Sequence, residues 1–223
     1  MFDIATKYCF HLDKDKAKSL GLFLLLSCLE KYVNGAIIEM NRLEKTRKGI
    51  IKKLSGLRSM ETGQKRRNKD FQLTYLACDT HFFFICIDKC YKLITQLSLE
   101  LNDVEITALK TRLNKIFDIT TVRNHLEHID DRCKGYLSLK DKKEKRKKHI
   151  QDFGNFIGDD FSFNNKKFPS NRKSLKELKG IYQDLIKIVH NRFASRDPVF
   201  IERIVQEKRI KLIQKALKKA GLI

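Results

Sequence analysis

The chain has 223 residues, 42% of them apolar, with two prolines and ten glycines. That is enough for one packed domain or a domain with an extension, and it argues against global disorder. Lys and Arg number 47 against 27 Asp and Glu, a formal charge of +20, which attracts polyanions, disfavours cationic partners and leaves the fold open.

From Lys16 to about Leu54 the spacing predicts a helix: Leu22, Leu25, Leu26, Leu29, Val33, Ile37 and Met40 recur at three- and four-residue steps. Asn34-Gly35 is a candidate break or kink. The apolar run Leu20 to Leu29 lies inside this helix. It falls short of the roughly 20 residues that span a bilayer. It also follows Asp13, Lys14, Asp15 and Lys16, a poor start for a signal peptide. A core helix of a cytoplasmic protein, with no membrane contact, is the expectation. Ser55 to Lys69 is polar and basic and reads as a loop.

A second helix is expected from about Asp70 to Leu99, apolar nearly all round from His81 to Ile87 and so a candidate bundle centre. His81 itself reads as a core or cap residue. The six cysteines, at 9, 28, 78, 86, 90 and 133, include no Cys-x-x-Cys pair. Cys86 and Cys90, one turn apart, could offer two thiolates, but no third or fourth ligand is evident. Buried reduced thiols are the expectation, with no metal and no cofactor. A third helix follows Asn102 or Asp103, either of which can cap it. It carries Ile106, Leu109, Leu113, Ile116 and Phe117 towards Cys133, with a weak point near Thr120-Thr121 and an end at Gly135.

Lys140 to Lys148 hold seven basic and two acidic residues, an exposed basic stretch. Aromatic alternation from Asp160 to Phe168, around Asn164-Asn165, predicts a small β-hairpin. A fourth helix should start near Ser170 or Ser174 and carry Leu175, Leu178, Ile181, Leu185 and Val189. A fifth, basic and amphipathic, should start at Asp197-Pro198 and reach about Ala220. The fold class is therefore all-α. It comprises a helical bundle over 1–195 and a C-terminal basic helix over 196–223 that packs on it or extends from it.

Residues 123–132 contain two His, two Arg, one Asn and three acids. On a helix Val122, Leu126, Ile129 and Cys133 share an apolar face, while Asn124, His128 and Asp131 cluster on another. Arg123 lies roughly 140° round from His128 on an ideal helix, so its long side chain or a local distortion would have to bring them together. Arg suits phosphate oxygens through its planar fork, and His suits proton transfer near neutral pH.

Arg123-Asn124, three residues, then His128 resembles the signature of the HEPN (higher eukaryotes and prokaryotes nucleotide-binding) family. The run Glu127-His128-Ile129-Asp130-Asp131-Arg132 is similar to an extended form in a group of bacterial HEPN-like proteins that carry a hairpin and a further helix after the motif. By layout the resemblance covers roughly residues 15 to 190; by motif, about ten. It implies a helical bundle that dimerises with its motif helices face to face. It also implies metal-independent RNA cleavage in toxin–antitoxin, anti-phage or RNA-processing systems, with an antitoxin or a nucleotidyltransferase as possible partner. In that scheme Arg123 clamps phosphate, His128 transfers protons and Asn124 orients one of them. Some members have lost catalysis and only bind. The basic helix after Asp197 departs from the family's core pattern.

Three functions fit these observations: a homodimeric endoribonuclease toxin or defence protein, a non-catalytic RNA-binding or partner-binding module, and an unrelated basic helical scaffold. RNA contacts are expected from Arg132, Lys142, Lys143, Lys145, Arg146, Lys147 and Lys148. Replacing the five lysines of that set by Gln should flatten the dependence of log affinity on log salt, by roughly 0.7 to 0.9 for each phosphate no longer neutralised. An unchanged slope in a binding titration would mean that these lysines only solubilise the chain.

Overall fold

The computed structural model describes residues 16–55, 63–127, 143–144, 155–157, 160–163 and 166–194. The described part is mostly helical, with one small antiparallel sheet. Its frame is a pair of long antiparallel helices, α1 (Lys16–Ser55) and α2 (Gly63–Leu101). At 1.5 Å per residue each runs about 60 Å.

What joins them is a regular seam. Along α1 the buried apolar residues are Leu22, Leu26, Leu29, Val33, Ala36, Met40 and Leu43, alternating steps of four and three. Along α2 a matching buried stripe runs through Leu76, Phe83, Ile87, Cys90, Ile94, Leu97 and Leu101. A mean repeat of 3.5 residues keeps one stripe of each helix facing its neighbour, as in a coiled coil. In the gap between Leu76 and Phe83 sit buried Asp79 and Thr80. The Thr80 hydroxyl donates to the Leu76 carbonyl at 2.7 Å, and Arg42 on α1 pairs with Asp79 at 2.9 Å. Burial pushes the carboxyls of Asp79 and Glu39 above their usual range, against the pull of Arg42.

Two expectations change here. Asn34-Gly35 does not break the helix: α1 runs through it. A Cβ at Gly35 would stand 2.9 Å from the Cys86 sulfur, so the glycine lets α2 approach and tertiary packing outweighs the roughly 1 kcal/mol propensity cost. Helix α2 also starts at Gly63, before the expected Asp70. Gln, Lys and Arg in that stretch are good helix formers. The remainder of the expected loop, 56–62, lies outside the described residues.

Helix α1 also holds an 18-residue window of mean hydropathy 1.4, a third of it buried. Length and composition alone would let it cross a bilayer; its heptad face is closed by α2.

Helix α3 (Val104–Phe117) is capped by Asp103, whose carboxylate accepts from the Glu105 and Ile106 amides at 2.9 and 3.2 Å. Its other oxygen takes Arg192 at 2.9 Å, fastening the end of α5 (Arg172–Ala194) to the start of α3. The break expected near Thr120-Thr121 comes at Asp118, which is left-handed with φ 45° and ψ 52°. Helix α4 (Ile119–Glu127) follows directly.

Three strands, β1 (Asn155–Ile157), β2 (Asp160–Phe163) and β3 (Lys166–Phe168), form a meander in that order. The expected hairpin is its second half, with Phe161 opposite Phe168. The first strand was not legible in the sequence. Phe161 and Phe168 lean on Phe84 of α2, with ring centroids 6.0 and 6.5 Å away. A buried serine locks this sheet to α1: Arg47 donates to the Ser170 carbonyl at 2.9 Å and to its Oγ at 3.0 Å, and the Phe161 amide donates to the same Oγ at 3.0 Å. Next to it, Asn171 caps α5. Its Oδ1 accepts from the Ser174 amide at 3.0 Å, and its own amide donates to the Ser174 hydroxyl at 3.2 Å. The basic helix expected over 196–223 lies outside the described residues.

Gly35→Ala should destabilise the protein by about 1–3 kcal/mol in a urea melt, because the added methyl meets Cys86 in a packed seam. Adding Cys86→Ala to that variant should recover most of the loss. If it does not, the close approach is not what Gly35 provides.

Arg172 chelates Glu44 across α5 and α1, with Nη2 to Oε2 at 2.7 Å and Nε to Oε1. That hydrogen bond holds the Glu44 carboxyl below its usual range. A carboxyl with a lowered folded pKa contributes stability above its unfolded value and loses it as pH falls through the folded one. Arg172→Met should therefore lower stability slightly near pH 7, as loss of an exposed pair does. The gap to wild type should close on acidification below the ordinary glutamate range. A gap independent of pH would assign the loss to packing of the arginine stem.

Candidate functional site

Helix α4 is short and is aimed by its first residues. Asp118 turns the chain out of α3 in a left-handed conformation that Asp tolerates better than most. Its backbone carbonyl accepts from the Thr121 and Val122 amides at 3.0 and 3.1 Å. Its carboxylate takes the Thr121 hydroxyl at 2.8 Å and pairs with Lys166 on β3. Ile119 and Val122 are then buried in the core. With Val122 inward, the next two residues turn outward, 100° per step. Arg123 is half-buried and Asn124 is exposed.

Arg123 does not stand by itself. Its Nε lies 4.0 Å from Oδ1 of Asp88 on α2. Asp88 is 7% exposed, and its Oδ2 holds Lys92 Nζ at 2.6 Å, one helical turn along. One nearly buried carboxylate thus faces two cations, whose side chains are 42% and 43% exposed. The pairing of Asp88 with Lys92 satisfies the acid within its own helix, and the second oxygen is directed at the motif helix. Arg123 has further interactions as well.

Of the residues expected to form the site, Arg123 and Asn124 sit next to each other on the outward side of α4. Lys143 is exposed. His128, Arg132, Lys142, Lys145, Arg146, Lys147 and Lys148 lie outside the described residues, as do Ile129 and Cys133 of the expected apolar face. Val122, the first residue of that face, is buried. Asp88 and Lys92 were missed. Their signal was present: an acid directly after the apolar centre of a helix, with a lysine four residues on.

The thiols bear on metal chemistry. Cys90 is buried and its thiol is pushed strongly upward, chiefly by desolvation; burial also pushes Cys86 up to about 11. Neither gives a thiolate readily near neutral pH. Among the described residues no three His, Cys, Asp or Glu are grouped to hold a metal ion. His81, expected as a core or cap residue, is half-buried with its ring tilted against Phe82.

No protein-family model, no curated protein and no solved structure matches the chain.

Proposed function

We propose that this protein is a metal-independent endoribonuclease of the HEPN type, acting in the cytoplasm as a homodimer in a toxin–antitoxin or anti-phage system. The observation that carries it is the Arg123-Asn124 pair. It projects from the outer side of a helix whose inner side is fixed by Val122, with His128 four residues beyond Asn124, on a chain of charge +20. Arg123 clamps a non-bridging phosphate oxygen and stabilises the charge that develops on the pentacoordinate phosphorus. His128 transfers a proton as the 2′-hydroxyl attacks and the 5′-oxygen leaves. Asn124 orients one of these groups. The products are a 2′,3′-cyclic phosphate and a 5′-hydroxyl, and no metal is required. An antitoxin or a nucleotidyltransferase is the protein partner expected of this class.

A second reading, a non-catalytic RNA-binding module, draws support from Asp88. A carboxylate close to Arg123 spends part of the guanidinium's field on a protein partner, which suits a phosphate contact without chemistry.

The two part in a cleavage assay on a mixed RNA pool with EDTA present. Wild type should cut, and His128→Ala should lose about 10² to 10⁴ in rate while keeping most of its RNA affinity. Arg123→Ala should lose cleavage and part of the binding. Equal cleavage by His128→Ala and wild type would overturn the catalytic assignment. RNA binding without cleavage by wild type would leave the binding module.

A further inference from the structure

We infer that Asp88 is a positioning residue for Arg123, fixing the guanidinium against α2 so that it meets an RNA phosphate in one orientation. This deepens the function proposed above and rests on it. Three observations converge. Asp88 is 7% exposed in a chain whose charge is +20, and an acid on a polyanion-binding surface opposes binding unless it does something else. Its two oxygens are divided, Oδ2 to Lys92 at 2.6 Å and Oδ1 towards Arg123 Nε at 4.0 Å. The Lys92 pair lies within one helix, one turn along from the carboxylate. Oδ1 then lies 4.0 Å from Nε, on the edge of the guanidinium that Nε shares with one terminal nitrogen. A charge on that edge biases the plane of the fork, and the plane sets the direction from which it can take a phosphate.

The chemistry makes an unusual sign prediction. Asp88→Asn removes a negative charge beside the RNA path, so by Coulomb's law alone it should tighten RNA binding, more so at low salt. If Asp88 orients Arg123, cleavage falls even so. Mis-set geometry at the reacting phosphate costs rate rather than affinity, on the order of 10²-fold for about 1 Å of misplacement.

The experiment compares wild type, Asp88→Asn, Asp88→Glu, Lys92→Met and Arg123→Ala in three measurements: kcat and KM on RNA, RNA affinity against salt, and the NMR signal of the Arg123 side-chain Nε–H. The expected result for Asp88→Asn is a kcat lowered about tenfold to a hundredfold, with KM unchanged or lower. Its Arg123 Nε–H should also shift and exchange faster with solvent. Asp88→Glu should recover part of kcat, and Lys92→Met should move the same signal by a smaller amount. Melting temperatures taken in parallel identify a variant that has merely unfolded; for such a variant Asp88→Glu and Lys92→Met carry the same comparison. An Arg123 Nε–H indifferent to Asp88→Asn and to both of those variants overturns the inference whatever the enzyme does. A signal that responds in a protein that binds RNA and never cuts it upholds the contact and overturns the endoribonuclease. A kcat unchanged in Asp88→Asn, in a protein that cuts through Arg123, overturns the positioning role.

Discussion

The 3.5-residue seam between α1 and α2 determines where everything else can sit. Because Leu22 to Leu43 on one helix and Leu76 to Leu101 on the other keep a constant register over most of their length, the two helices act as one rigid board. Gly35 sets the depth of that contact at its middle, where the Cys86 sulfur occupies the space a side chain would take. The nearest polar interruption of the seam is matched by Arg42 reaching Asp79. It is therefore a pair rather than a lone buried charge.

The remaining described elements lean on that board through a few polar anchors at their ends, while apolar contacts supply the area. Asp103 joins the start of α3 to the end of α5. Ser170 gathers Arg47 and the Phe161 amide. Asp118 gathers Thr121 and Lys166. Each is a short oxygen-bearing side chain at an element boundary, where backbone groups lack helical or ladder partners. The orientation of α4, and with it that of Arg123, follows from the last of these anchors together with the burial of Ile119 and Val122.

Periodic features were legible in the sequence. The long helices, the Asp103 cap, the hairpin at Phe161–Phe168 and the inward face of Val122 all follow from spacing or from cap chemistry. Features that depend on a distant neighbour were not. Nothing local distinguishes a glycine that breaks a helix from one that admits Cys86. The break fell at Asp118 rather than at Thr120-Thr121 because the left-handed turn is held by Lys166 from a strand far along the chain, whereas β-branching only weakens a helix. At the candidate site the pattern supplied Arg123 and Asn124, which are neighbours in sequence. It did not supply Asp88, which meets Arg123 only after α2 and α4 have packed.

Asp88 and Lys92 also bear on how a strongly basic protein can be selective. A surface of charge +20 attracts any polyanion, and such attraction is indifferent to orientation because it acts over a Debye length of about 8 to 10 Å at ordinary salt. Orientation must come from groups whose own freedom has been removed. A half-buried arginine beside a nearly buried aspartate, itself paired with a lysine one turn away, has more neighbours to orient it than an exposed residue such as Lys143. The long-range field and the local geometry are thus separable contributions. In the function proposed above, the first would gather RNA from solution, and the second would decide which phosphate the guanidinium grips.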